Sequence, residues 1–157
     1  MSKVSFTGTA WKTKTVSLME APNFDDDPDL TDREKRVAMD TYERFCPIEL
    51  EVRRVPRPTR QAWERSFAKI IAADAGKKKD STLLALPPDT LEALHKFHEA
   101  VLKEALVRVS NLEVGDVDVS ALPAPDAVEM LAECDLLGYA SKATRGAQTP
   151  TVTQSKT

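Results

Sequence analysis

The stretch Ile48-Glu49-Leu50-Glu51-Val52-Arg53 is the clearest structural signal in this chain of 157 residues. Apolar and charged side chains alternate through it, which is typical of a β-strand with one buried face and one face in water. The strand ends at Val55-Pro56-Arg57-Pro58, because proline has no N–H to donate to a sheet ladder. We therefore predict the central strand of the protein here.

A helix is predicted on each side of this strand. Before it, Thr31-Asp32-Arg33-Glu34 fits a capping box, which indicates a helix over about 32–45. After it, Thr59 is a suitable N-cap for a helix over about 60–74. The candidate buried positions are Val37, Tyr42 and Phe45 in the first helix and Trp63, Phe67, Ile70 and Ile71 in the second.

Two further helices are predicted in the C-terminal half. Apolar side chains recur at three- and four-residue steps from Leu91 to Val109, which indicates a helix over about 89–109. Residues 111–122 then predict a loop or a weak hairpin. The last helix covers about 125–137 and ends at Gly138.

The N-terminal segment 3–19 alternates Val4 and Phe6, then Val16 and Leu18, with polar side chains. This pattern predicts two short strands, which we expect to form a hairpin. Residues 20–30 (EAPNFDDDPDL) predict an acidic loop, because proline, asparagine and clustered aspartate disfavour regular structure.

These elements predict an α+β fold with short N-terminal β-strands, one central strand, about four α-helices and a mostly helical C-terminal half. We expect a single mixed domain over 1–140, with strands in 3–19, the acidic loop 20–30 and a helical part over 31–140. The polar segment 141–157 contains few large apolar side chains, so a flexible tail is expected there.

Composition excludes several classes of protein. No apolar segment approaches the roughly 20 residues needed to span a bilayer, and the N-terminus lacks the apolar core of a signal peptide, so a cytoplasmic protein is expected. Two cysteines and two histidines leave few groups for catalysis or zinc binding. No phosphate-binding glycine loop is present. We therefore expect a non-enzymatic protein with no catalytic residue, metal or cofactor.

Two residue clusters come nearest to a metal site. Asp25, Asp27 and Asp29 match the first ligand positions of a calcium-binding loop, but Leu30 and Arg36 occupy the places of the required glycine and glutamate. A solvated acidic loop is the expected outcome. His95 and His98 lie three residues apart on one predicted helix, where two ligands do not complete a tetrahedral site.

The net charge of −3 hides two opposed segments. Residues 20–40 carry eight acidic and three basic side chains, for a net charge of −5. Residues 53–79 carry nine basic and two acidic side chains, for a net charge of +7. The two segments are either solvated faces, or surfaces that attract each other or partners of opposite charge.

The candidate partner-binding residues come from these two segments. They are Arg53, Arg54, Arg57, Arg60, Trp63, Phe67, Asp25, Asp26 and Asp27. Arginine pairs with phosphate and aromatic rings stack on bases, so nucleic acid is one possible ligand. However, the aromatic side chains align with Ile70 and Ile71, and the isoelectric point is about 5.5, which together favour a protein interface.

The order of parts from Ile48 onward resembles the tail assembly chaperones of long-tailed bacteriophages. The resemblance is carried by a charged strand leading into a helix (IELEVRRVPRPTRQAWERSF), a long helix running into an acidic glycine-containing loop (HEAVLKEALVRVSNLEVGDVDV), and a final helix with a polar tail (DAVEMLAECDLLGYASKATRG). It covers about residues 48–145. It implies a non-enzymatic helper that binds the tape-measure protein and recruits tail-tube subunits.

Two alternatives stand beside this resemblance. One is a structural subunit of the virion, in its head or its tail. The other is a nucleic-acid-binding module that uses the basic segment 53–79. The expected partners are other phage structural or tail proteins, within an oligomer or a larger assembly, and no membrane. The expected location is the host cytoplasm, or the virion for a structural subunit.

Overall fold

The computed structural model describes residues 2–7, 11–25, 28–77, 87–149 and 151–156. Its elements confirm the α+β class. In chain order they are β1 (Ser2–Thr7), β2 (Thr13–Ser17), α1 (Asp32–Phe45), β3 (Glu49–Arg53), α2 (Arg57–Lys77), α3 (Pro88–Ala105), β4 (Leu106–Ser110), β5 (Glu113–Val114), β6 (Val117–Asp118), a 3₁₀ turn (Val119–Ala121), α4 (Ala124–Glu133), α5 (Leu137–Ala147) and β7 (Thr151–Lys156).

Strand β3 is the centre of a three-stranded antiparallel sheet with the order β2–β3–β4. Leu50 and Val52 are fully buried on one face, as their alternation with charged residues predicts. On the other face, Glu51 forms an ion pair with Arg108 of β4, with 2.9 Å between Oε2 and Nη2. The predicted central strand is therefore confirmed.

The predicted N-terminal hairpin is wrong, although both of its strands exist. β1 pairs antiparallel with β7 at the far end of the chain, and β2 pairs with β3. Alternation along a strand specifies its buried face but not its partner, which is set by contacts distant in sequence. Leu18, just after β2, is 2% exposed because it belongs to the core beneath the three-stranded sheet.

Two apolar clusters hold the helices in place. The larger lies under the sheet and includes Leu102 of α3, Leu131 of α4 and Ala140 of α5. The smaller joins α2 to α3. Its buried members are Val55, Trp63, Phe97, Val101 and Ala105, with Phe67 and Ile70 packed against them.

Helix α1 has its predicted bounds and cap but not its predicted burial. The Glu34 N–H donates to Thr31 Oγ1 at 3.2 Å, and the Thr31 N–H donates to Glu34 Oε1 at 3.3 Å, so the capping box is confirmed. No residue of the helix is buried. Val37 is 59% exposed, which corrects its prediction as a core residue, and Phe45 is half-buried against the larger cluster.

Helix α2 begins earlier than the expected N-cap at Thr59. The Arg60 N–H donates to the carbonyl of Pro56 at 3.2 Å, and Pro58 is tolerated because the first turn of a helix has no intrahelical acceptor for its N–H groups. Ile71 is 47% exposed, so it does not share the buried side with Trp63.

The predicted helix over 89–109 is too long. Helix α3 ends at Ala105, and residues 106–110 form strand β4, in which Leu106 and Val109 pair with Val52 and Leu50. Hydrogen bonding to β3 decides this switch, since helical spacing alone does not reveal a neighbouring strand. The weak hairpin predicted after it is confirmed as β5–β6, with Gly115 at φ 61°.

The C-terminal region departs most from prediction. Helix α4 ends at Glu133, because Asp135 adopts φ 57° and the Leu136 N–H donates to the Leu131 carbonyl at 2.9 Å. Gly138 does not end a helix but lies in the first turn of α5.

The expected flexible tail from residue 141 is also wrong. Ser141 and Thr144 are fully buried in α5, and residues 151–156 form β7. Small side chains let α5 pack closely against α3, so a composition poor in large apolar residues does not indicate disorder here.

Candidate functional site

A groove of about 450 Å³ lies between the N-terminal half of α2 and the C-terminal end of α5. We call it the α2–α5 groove. Helix α2 contributes Arg60, Trp63, Glu64, Phe67 and Ala68 to its walls, and α5 with the residues after it contributes Lys142, Arg145, Gly146, Gln148 and Thr149. Its volume accommodates a few side chains of a ligand.

The apolar wall of the groove is continuous with the protein interior. Trp63 is only 6% exposed and belongs to the smaller apolar cluster. The Phe67 ring is half-buried and lies 5.5 Å from the Phe97 ring, centre to centre, at an interplanar angle of 40°. The α2 side of the groove is therefore held in place by core packing.

Arg145 lies across this aromatic wall. Its guanidinium carbon is 4.9 Å from the centre of the Phe67 ring and 5.2 Å from that of Phe97, within the range of cation–π attraction. The side chain is half-buried, and this burial lowers the pKa of Arg145 below its usual value. Its Nε has no hydrogen-bond acceptor in the part of the chain that the structure describes.

Gln148 ties the end of α5 to the end of β3. Its side-chain Nε2 donates to the Arg53 carbonyl at 2.8 Å, and its Oε1 accepts from the Val55 N–H at 3.0 Å. The Gln148 carbonyl accepts from Arg60 Nη1 at 3.1 Å. One residue thus continues the hydrogen bonding of the strand and fixes Arg60 at the edge of the groove.

The groove is rich in positive charge and in hydrogen-bond donors. Arg60, Lys142 and Arg145 contribute three cations, and Glu64 contributes one carboxylate. Between the described residues, none of these three cations forms an ion pair. Trp63 Nε1 and Arg60 Nε are also buried with no acceptor among the described atoms. The groove is therefore suited to an anionic group that accepts hydrogen bonds.

The structure brings together only part of the predicted partner-binding set. Arg60, Trp63 and Phe67 line the groove, whereas Arg53, Arg54 and Arg57 are exposed residues outside its lining. Asp25 is exposed in the acidic loop, where its N–H donates to Asn23 Oδ1 at 3.0 Å. Asp26 and Asp27 lie outside the described residues.

Sequence reasoning missed Lys142, Arg145 and Gln148 because all three lie in the segment predicted to be flexible. A usable signal was present. Small residues recur at helical spacing through Ala140, Ser141, Thr144 and Ala147, which is typical of a helix packed closely on a neighbour.

The two histidines, His95 and His98, have different surroundings on α3. His95 Nε2 lies 2.7 Å from Glu99 Oε1 on the surface of α3. His98 is half-buried beside Gly138, where a Cβ atom would lie 3.7 Å from its Nε2. Burial, with smaller contributions from the charges of Arg145 and His95, lowers the pKa of His98 to about 4. In the described segments, no three His, Cys, Asp or Glu side chains lie close enough to share a metal ion.

A larger cavity of about 670 Å³ lies at the end of β4. Several of its polar groups already have hydrogen-bond partners. Asp118 Oδ1 accepts from Ser120 Oγ at 2.7 Å and from the Ser120 N–H at 3.0 Å, and Asn111 Nδ2 donates to the Pro47 carbonyl at 2.8 Å. The Ser120 hydrogen bonds lower the pKa of Asp118. Because Asp118, Ser120 and Asn111 already have hydrogen-bond partners, this cavity is a weaker candidate than the α2–α5 groove.

Comparisons of the chain with family models, with characterised proteins and with solved structures find no match. None of the helices in the described ranges is both long enough and apolar enough to cross a membrane. A functional proposal therefore depends on the sequence and on the geometry of the groove.

Proposed function

We propose that this chain is a non-enzymatic assembly protein that binds a segment of a partner protein in the α2–α5 groove. The observation that carries the proposal is a concave surface in which the half-buried Arg145 and Phe67 lie beside the buried Trp63, which serves as its rigid floor. Arginine and aromatic residues are the preferred anchors of protein interfaces, where a rigid apolar floor is combined with directed hydrogen bonds.

Two features favour a protein partner over nucleic acid. Trp63 is buried, and the Phe67 ring is covered by Arg145, so neither side chain offers a free face for a base. The groove is also compact, whereas nucleic-acid surfaces follow an extended backbone with many basic residues.

Within this class we propose a tail assembly chaperone of a long-tailed bacteriophage. The support is the layout resemblance that begins at Ile48. On this proposal the chain works in the host cytoplasm, and its partners are the tape-measure and tail-tube proteins. The groove would hold one such partner while its other surfaces remain free for further assembly.

The test is co-expression of the chain with the tape-measure and tail-tube proteins of the same phage, followed by affinity purification. Wild-type protein should retain at least one of them. Lys142→Glu should reduce recovery, because it reverses a charge in the groove, whereas Lys69→Glu on the exposed side of α2 is the matched control. Finding the chain at stoichiometric levels in purified particles would instead identify it as a virion subunit.

A further inference from the structure

We propose that the α2–α5 groove recognises a carboxylate, and that its occupant is an acidic segment of the partner protein in which aspartate or glutamate alternates with apolar residues. This inference rests on the proposed function and defines the chemistry of the partner. The charges, the hydrogen-bond donors and the aromatic wall of the groove support it.

The groove contains positive charge without a matching negative charge. Arg60, Lys142 and Arg145 form no ion pair with any acid in the described ranges, and Glu64 is the only acid in the lining. Arg145 is half-buried, so its charge has lost part of its hydration. An entering carboxylate would restore favourable electrostatics at a place where water screens less than at an open surface.

Hydrogen-bond donors outnumber acceptors in the groove. Arg60 uses Nη1 for the Gln148 carbonyl, and no described residue accepts a hydrogen bond from its Nε or from Arg145 Nε. Both of these Nε atoms and the indole Nε1 of Trp63 are enclosed by the protein, so a ligand in the groove meets the terminal nitrogens of the guanidinium groups. A guanidinium group pairs with the two oxygens of a carboxylate through parallel hydrogen bonds, so a carboxylate offers the terminal nitrogens of Arg145 acceptors in a geometry that fits.

The remaining surface of the groove suits a peptide. Phe67, Ala68 and Gly146 provide an apolar strip beside the cations. The guanidinium of Arg145 covers one face of Phe67 and one face of Phe97. This cation–π contact orients the guanidinium toward a ligand in the groove. An apolar side chain next to the carboxylate can cover this strip, whereas a phosphodiester backbone has no equivalent group.

The experiment measures binding of a dye-labelled peptide, Gly-Leu-Glu-Leu-Glu-Leu-Gly, to the full chain by fluorescence anisotropy. The comparison peptide has glutamine in place of both glutamates, and a single-stranded DNA oligonucleotide is the third probe. Hydrogen bonds to a charged group contribute about 1.5–3 kcal/mol, so the glutamate peptide should bind roughly 10- to 100-fold more tightly than the glutamine peptide.

The variants locate the site. Arg145→Met keeps an unbranched apolar side chain against the two phenylalanines and should weaken binding of the glutamate peptide about tenfold or more. Arg145→Lys keeps the charge but loses the planar fork, so its binding should be intermediate. Arg65→Met, on an exposed part of α2 outside the groove lining, is the matched control and should bind as the wild type does.

Several outcomes would overturn the inference. One is equal binding of the glutamate and glutamine peptides by the wild type. Another is preferential binding of the oligonucleotide by the wild type, with that binding lost in Arg145→Met. The peptide comparison uses wild-type protein, so it decides the matter even where a variant fails to fold. Capture of a tail protein equally by wild type and Arg145→Met would refute the inference but not the proposed function. Selective binding of the glutamate peptide without capture of any tail protein would support the inference but refute the proposed function.

Discussion

Replacement of Trp63 by alanine is expected to lower the free energy of unfolding by about 3–5 kcal/mol, the usual cost of removing a large buried aromatic side chain. The ring is 6% exposed and packs with Val55, Phe97, Val101 and Ala105. Its Nε1 has no described acceptor, so no hydrogen bond is lost and the cost arises from packing and from the cavity. For a domain of this size, the thermal midpoint should fall by roughly 6–20 °C.

The assay is urea unfolding followed by far-ultraviolet circular dichroism, which does not depend on tryptophan emission. Trp63→Phe is the conservative variant and should lose much less stability, because most of the apolar area remains. Ile71→Ala on the same helix is the matched control, since Ile71 is 47% exposed and its truncation should change stability by less than about 1 kcal/mol. A loss for Trp63→Ala no larger than for Ile71→Ala would refute the placement of the ring in the core.

Three further predictions concern the end of α5, the partly buried histidine and the β5–β6 turn. Gln148→Ala leaves the Val55 N–H and the Arg53 carbonyl without a partner and should lower unfolding free energy by about 2–4 kcal/mol in urea titrations; a loss below about 0.5 kcal/mol would contradict the bridging role. The pKa of His98 lies at about 4 in the folded protein against an ordinary 6.5, so the unfolded chain binds the proton more readily and stability should fall as the pH drops from 6.5 toward 4. In a plot of the urea midpoint against pH, His98→Gln should reduce the slope between pH 6.5 and 4. An unchanged slope would contradict the role of His98 in this pH dependence. Gly115→Ala should cost about 1–2 kcal/mol in thermal melts, since φ is +61° although no atom lies within 4 Å of the new Cβ; a neutral effect would show that the turn relaxes.

The best-predicted parts of the fold are those whose cause is local. The capping box of α1 involves Thr31 and Glu34, three residues apart, so its hydrogen bonds are determined within one turn. The alternation around Leu50 and Val52 specifies which face of β3 is buried. Both patterns stand out in the sequence because the side chains that define them are close along the chain.

Only one wall of the candidate site was predictable from the sequence. Arg60, Trp63 and Phe67 share one helix, and their spacing brings them together on one side of it. The other wall is built by Lys142 and Arg145, which are more than seventy residues further along the chain. The local sequence pattern of one wall does not predict the other wall. The distance between the two walls is set by the packing of α3 against both α2 and α5.

The sequence by itself determined the α+β class, the buried face of the central strand, the start of α1 and the aromatic side of α2. Only the tertiary structure decided that β1 pairs with β7, that the chain leaves the helix at Ala105 to become β4, and that the polar C-terminal segment forms a packed helix. The physical reason is that helix caps and side-chain periodicity act over a few residues. Strand partners, close helix packing and the convergence of Arg60 with Arg145 depend on contacts between segments that are far apart in sequence.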